Sequence, residues 1–429
     1  MLERAERDIW ILMASRGVRS FAFSCLNVIF AIYLSQLGYS TVTIGLVIST
    51  AYVSSALLTV VWGFLSDRYG RRKILMLLAA LMIVSNVIYL FFSQLFFIFL
   101  AVIVTNIGAG GTGGGGQGGG PFNPVEQALL AEKCSPENRN RVFSTNSFVG
   151  SVLGSLGALA SGLPQYLQES WGWQPIPSYK PLFAMTILLS LGLIFAYGKI
   201  TELHVPRQKE RTTISKKSGV FVTKLSLLGM VDNLGAGMVG PFVAYWFYLR
   251  FGVELKALGF MFFISYLLAA LSFLLAPAIA RRIGVVRTMV FSHGVASLIY
   301  LVMPLAPTFL VGAILIIFRS FVAYMDGPLR GSFVMGIVKA EERGSAAGIT
   351  NLSRYVPMAV SPSISAYIMQ AFSLSVPMVI GGGLQLIHDA TFYFMFRNVR
   401  PPEEEPSPFP LPGRERIKGE GRTISELKG

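Results

Sequence analysis

Asp232 and Asn233 fall near the middle of a long apolar run. An ionised carboxylate at that depth costs at least about 2.5–3.5 kcal/mol unless it finds a partner or water. Burial favours its protonated form and a nearby cation favours the charged one, so Asp232 is the expected proton-coupling carboxylate. Arg319 lies near mid-depth of a second run and is expected to hold an anionic solute or to neutralise Asp232. Asp326 and Arg330, four apart, form a favourable helical pair. Arg16 and Arg19, three apart on one helix face, and Arg354 lie nearer the ends of their runs, where gating or snorkelling suits them better than binding. His388, beside Asp389, reads as a packed or gate residue.

Soluble-enzyme chemistry has no comparable support. Cys25 and Cys134 lack metal-ligand spacing, and His204, His293 and His388 are scattered. No nucleophile set, metal site or cofactor is expected, and no enzyme activity.

The elements that position these charges are membrane helices. Of 429 residues, 53% are hydrophobic and 14% charged, where soluble domains carry about a quarter charged. Apolar stretches long enough to span, about 20 residues each, run over Asp8–Tyr33, Thr41–Leu65, Ile74–Phe92, Leu95–Ala131, Val142–Leu163 and Leu182–Tyr197. They continue over Val220–Leu249, Leu258–Ala280, Thr288–Leu305, Phe309–Val338, Ser345–Phe372 and Pro377–Phe396. About twelve crossings place both termini on one side. The basic residues sort to that side: Arg68 to Lys73, Lys133 to Arg141, Arg207 to Lys217, Arg281 to Arg287, Lys339 and Arg343. Opposite them stand few beyond Lys180, Arg250 and Lys256. The positive-inside rule therefore makes both termini cytoplasmic, and the net charge of +14 is a topology signal rather than a nucleic-acid footprint. The loop Pro164–Lys180, with Trp171, Trp173 and Tyr179, is expected at the external interface, and the proline- and charge-rich tail is expected to be disordered.

The chain also resembles itself. Gly63-Phe-Leu-Ser-Asp67-Arg68-Tyr-Gly70-Arg71-Arg72-Lys73 follows the second span, and Pro277-Ala-Ile-Ala-Arg281-Arg282-Ile-Gly284-Val-Val-Arg287 follows the eighth. Glu137-Asn-Arg139 before the fifth span matches Glu341-Glu342-Arg343 before the eleventh. Two parallel six-helix repeats follow, with a solute site where they meet. Residues 1–200 and 219–398 are the expected bundles, 201–218 a cytoplasmic connector and 399–429 the tail. The tract Thr112–Pro121 reads as a glycine-rich insertion in the fourth span, a flexible insert rather than straight helix.

Gly63 to Lys73 resembles the loop signature of the major facilitator superfamily: a glycine, then Asp-Arg, then Gly-Arg-Arg. The twelve spans, the connector and the second copy extend the resemblance over nearly the whole chain. It implies an all-α integral membrane fold of two six-helix bundles. Within it Gly63 would let helices approach, Gly70 would permit a tight turn, and Asp67 would latch onto the amino end of the eleventh span near Gly344–Ala347. Arg71 or Arg68 would pair with Glu126, and Arg72 completes the gating motif. Drug–proton antiporters of the superfamily often carry an arginine in span four and a Gly-Pro pair in span five. Here Val104 and the Gly150, Gly154, Gly157 series stand instead.

The resulting expectation is a secondary active transporter of a small solute, proton-coupled, leaning to efflux, monomeric, in the plasma membrane. Its partners are the solute, protons and the lipid bilayer, with no nucleic acid. The alternatives are organic-anion uptake and a non-transporting sensor of the same fold.

Overall fold

The computed structural model describes residues 2–105, 120–134, 138–201, 215–325, 329–330, 333 and 342–397. Among them helices dominate and no strand occurs. Lipid offers no partner to backbone N–H and C=O groups, so helices that satisfy them internally are what this composition permits. In order they are α1 (Leu2–Gln36), α2 (Thr41–Tyr69), α3 (Arg71–Phe91), α4 (Leu95–Thr105), α5 (Phe122–Lys133), α6 (Arg139–Ala160), α7 (Leu163–Trp171) and α8 (Lys180–Gly198). The second half has α9 (Lys216–Val239), α10 (Val243–Phe251), α11 (Leu255–Ile283), α12 (Val285–Val302), α13 (Phe309–Ala323), α14 (Arg343–Ala371) and α15 (Val376–Phe396).

Eight described helical segments are long and apolar enough to cross a membrane, and α4 and α13 are shorter apolar helices. Helices α14 and α15 are more polar but have 29 and 21 residues, enough to span at about 1.5 Å per residue. Large apolar side chains such as Phe91, Phe195, Phe291 and Phe394 are exposed, as a lipid-facing surface requires. The tract at 112–119, the 202–214 connector segment and the tail from 398 lie outside the described residues.

Within the first half, α1 packs on α6. A Cβ at Gly157 would collide with the Phe21 backbone, so the small-residue series in α6 does make a close-packing surface. Within the second half, α9 packs on α14 and α15, with Gly235 against the Gly381 carbonyl. The halves meet along α2–α14 and α6–α11.

One expectation needs correction. The loop Pro164–Lys180 is largely ordered helix, α7 followed by a single 3-10 turn at Pro177–Tyr179. Tyr179 is buried rather than interfacial, its ring 5.2 Å from that of Tyr33. Trp171 and Trp173 remain exposed.

The repeat survives at the level of backbone angles. Gly70 has φ 100° and ψ 137°, and Gly284 has φ 92° and ψ 152°. Each ends one helix, donating its N–H to Ser66 O at 3.1 Å or Ala280 O at 2.9 Å, and starts the next. That region of backbone space is open essentially to glycine alone. Gly70→Ala and Gly284→Ala should each lower stability by about 1–3 kcal/mol, measured by thermal unfolding of the purified protein in detergent. Equal stability of both variants with wild type would count against a strained turn.

Candidate functional site

Among the described residues, each half buries a cluster of charged side chains. In the first half, α1 and α5 face each other: Arg19 donates to Glu126 Oε2 and lies over the Phe122 ring, 4.6 Å from its centroid. Tyr197 Oη on α8 donates to Glu126 Oε1 at 2.5 Å. Arg16, one turn from Arg19, donates to Asn123 Oδ1, leaving its Nε without a partner. Arg16, Arg19 and Glu126 are all buried. A buried carboxylate that accepts from a guanidinium and a phenol is well satisfied; a guanidinium on an amide alone is less so.

In the second half, α9, α12 and α15 converge. Asp232 Oδ1 accepts from Gln385 Nε2 at 3.3 Å and lies 3.4 Å from His293 Nε2. Its Oδ2 is 3.7 Å from Arg330. Asp389 Oδ1 takes Nδ1 of His293 at 2.8 Å and Nδ1 of His388 at 2.9 Å, and its Oδ2 takes the Ser297 hydroxyl at 3.1 Å. Helix contacts too close for any Cβ set these distances: a side chain at Gly382 would press on Ser297 O at 2.9 Å.

The expected residues sort accordingly. Asp232 is buried, but His293, Gln385 and Arg330 are its partners rather than Arg319. Arg319 is buried over the Tyr300 ring, 3.8 Å from its centroid, with Nε unpartnered. Asn233 Nδ2 donates to Gly229 O of its own helix at 2.7 Å. Asp326 lies outside the described residues. His293 and His388, isolated in sequence, meet through Asp389, which sequence reasoning missed. The signal was thin: His293 and Asp389 are 96 residues apart.

The motif expected to gate is spread along the α2–α3 turn. Arg71 bridges Asp67 at 3.5 Å and also pairs with Glu132, so Glu126, held by Arg19, is not its partner. The anion on α5 that reaches the loop is Glu132, nearly two turns further on. Arg72 donates to Ile200 O at 3.4 Å, and Arg68 lies 5.4 Å from the Tyr69 ring centroid. Among the described residues nothing lies within 4 Å of the place a Cβ on Gly63 would take; the Ser66 hydroxyl donates to its carbonyl at 2.8 Å. The side chains near Gly344–Ala347 lie outside the described residues.

Cross-half hydrogen bonds gather at the face opposite the amino terminus. Ser49 Oγ meets Ser363 Oγ at 2.7 Å and accepts from Ser363 N at 3.1 Å. Gln370 accepts from Val42 N at 3.1 Å, and Tyr245 Oη reaches Thr41 and Ser35, both at 3.3 Å. Lys256 on α11 pairs with Glu169 on α7. Two glycines let the backbones touch there. A Cβ on Gly45 would lie 2.8 Å from Pro362 O on α14, and one on Gly259 would lie 2.8 Å from Ala158 O on α6. They occupy equivalent places in the two repeats.

Known proteins share this architecture. The chain matches the Major Facilitator Superfamily profile over residues 12–362 and again over 225–427. It is 24% identical to the uncharacterized membrane protein YJR124C of Saccharomyces cerevisiae, over 92% of this chain and 95% of that one. It is 26% identical to the multidrug resistance protein MdtG of Rahnella sp., over 76% and 77% of the two chains. Among solved structures, the nucleoside transporter NupG superposes with a TM-score of 0.69 at 14% identity, over 90% of this chain and all of that one. A bacterial homolog of the human lysosomal transporter Spinster, in an inward-facing conformation, superposes with a TM-score of 0.68 at 15% identity, over 91% and 96%. With its turn glycines repeated, its halves meeting on small residues and its sequence matched nearly end to end, this chain belongs to the major facilitator superfamily.

Proposed function

We propose that this protein is a secondary active transporter that exports small organic solutes by alternating access, driven by protons. The observation that carries the reading is the seam: the halves join at one face through hydroxyls, an amide and an exposed ion pair, across glycine contacts. Such contacts exchange for water at little cost, so the halves can part and close again. The positive-inside rule makes the joined face extracellular, and the inward-facing Spinster homolog has the same fold. The MdtG relatives support export. Coupling is assigned to Glu126: a proton on its carboxylate would weaken its hold on Arg19 and change the pull between α1 and α5.

A second reading is organic-anion uptake. Arg16 and Arg319 support it, since neither bridges a carboxylate among the described residues although both are buried.

Flux into proteoliposomes distinguishes these. With an acidic lumen, lipophilic dyes should accumulate, and a protonophore should abolish the accumulation. Dye movement insensitive to the gradient would remove proton coupling, and no movement of any solute would remove transport. If instead an organic anion is carried and Arg319→Ala abolishes its binding while neutral solutes are unaffected, the second reading holds.

A further inference from the structure

The chain has three histidines in 429 residues, and two of them converge on one buried carboxylate. Asp389, 3% exposed, accepts at one oxygen from Nδ1 of both rings. A carboxylate that takes an Nδ1–H from each imidazole orients both and leaves Nε2 as the lone pair of each ring. Nε2 of His293 points to Asp232, at 3.4 Å from Oδ1. Nε2 of His388 has no hydrogen-bond partner, although the residue is only 2% exposed. A buried acceptor left unmade keeps the full cost of its lost hydration, so this nitrogen calls for a further partner. One ligand atom from each of Asp232, His293 and His388 lies within 4.8 Å of the other two.

We propose that Asp232, His293 and His388 bind one divalent transition-metal ion of the zinc class, with Asp389 holding the two imidazoles in place. Two imidazole nitrogens and one carboxylate oxygen form a ligand set that such ions favour, whereas magnesium and calcium require oxygen. Ligand atoms about 2.0–2.1 Å from a tetrahedral ion stand roughly 3.3 Å apart. The His293–Asp232 spacing is already 3.4 Å, and no pair of the three stands further apart than 4.8 Å. Three protein ligands leave a fourth position for water. Arg330, at 3.7 Å from Asp232, is the cation that the metal displaces from that carboxylate. All three ligands and Asp389 belong to α9, α12 and α15 of one half, joined by glycine contacts at Gly235–Gly381 and Gly382–Ser297. The site therefore does not assemble across the seam, and it does not depend on which solute is carried.

The test is calorimetric titration of the full chain, purified without a histidine tag and stripped with chelator, against zinc chloride, with cobalt absorption as a second signal. One ion per chain is expected at micromolar affinity or tighter, with no heat from magnesium chloride. His293→Ala and His388→Ala should each weaken zinc at least about tenfold, Asp389→Asn by about 10–100-fold, and His204→Ala not at all. No zinc binding, or affinity unchanged when both His293 and His388 are alanine, would overturn the proposal. Should the alanine variants fail to fold, the near-isosteric Asp389→Asn decides: unchanged zinc affinity there overturns it equally.

Discussion

Replacing Gly45 and Gly259 together by leucine should prevent closure of the face opposite the amino terminus and cut solute flux about tenfold or more. Each glycine stands where a Cβ would sit 2.8 Å from a backbone carbonyl of the other half, Pro362 O or Ala158 O. Backbone cannot step aside as a flexible side chain can. Overpacking costs typically 1–3 kcal/mol per site, and two remote sites add, so the closed state loses about 2–6 kcal/mol. A shift of about 1.4 kcal/mol already changes a population tenfold. The check is a cysteine at Ser363, which lies on the seam against Ser49, in a background where Cys25 and Cys134 are serine. Its labelling by a membrane-impermeant thiol reagent should rise in the double variant. Wild-type labelling together with wild-type flux would remove the seam from the mechanism.

Glu126→Ala should be the most destabilising single change in the first half. It leaves Arg19, fully buried, beside the Phe122 ring without its carboxylate, and removes the acceptor of Tyr197. Breaking a buried pair from one side costs about 3–5 kcal/mol, read as a fall in thermal unfolding temperature. Glu126→Gln retains size and an acceptor oxygen, so it should fold better. It removes the carboxyl to which coupling is assigned, so it should stop proton-driven accumulation while leaving downhill exchange of the solute. Proton-driven accumulation at the normal rate in Glu126→Gln would take coupling away from this residue.

Much of the fold was legible because lipid imposes a simple rule. Apolar runs about 20 residues long must become helices, and the Gly70 and Gly284 loops announced the repeat. Asp232 and Arg319 were legible one by one as charges inside apolar runs, and both are buried. Their partners were not. Which ring reaches which carboxylate depends on helix rotation and on glycine-permitted approach, so His293 and Asp389, on helices far apart in the chain, gave no local pattern to read. The family resemblance pairs Glu126, near the end of its span, with a loop arginine. Arg19 lies on the facing side of α1, and it is that face, not depth, that determined the pairing. Tyr179 was misplaced for a similar reason: a tyrosine in a loop between spans reads as interfacial, yet the helix of that loop folds it under against Tyr33.

The two glycine contacts in the seam also govern how the molecule moves. Attraction between touching backbones falls off within an ångström; a radial gap of about 0.5–1 Å already forfeits a quarter to a half of it. Gly45 and Gly259 offer no long side chain to bridge a partial gap, and the neighbouring hydroxyl bonds are as short in reach. A half-parted arrangement would lose most of the cohesion while gaining little hydration. Opening should therefore proceed as a snap between two well-separated basins, with sparse traffic in between, rather than as a gradual swing.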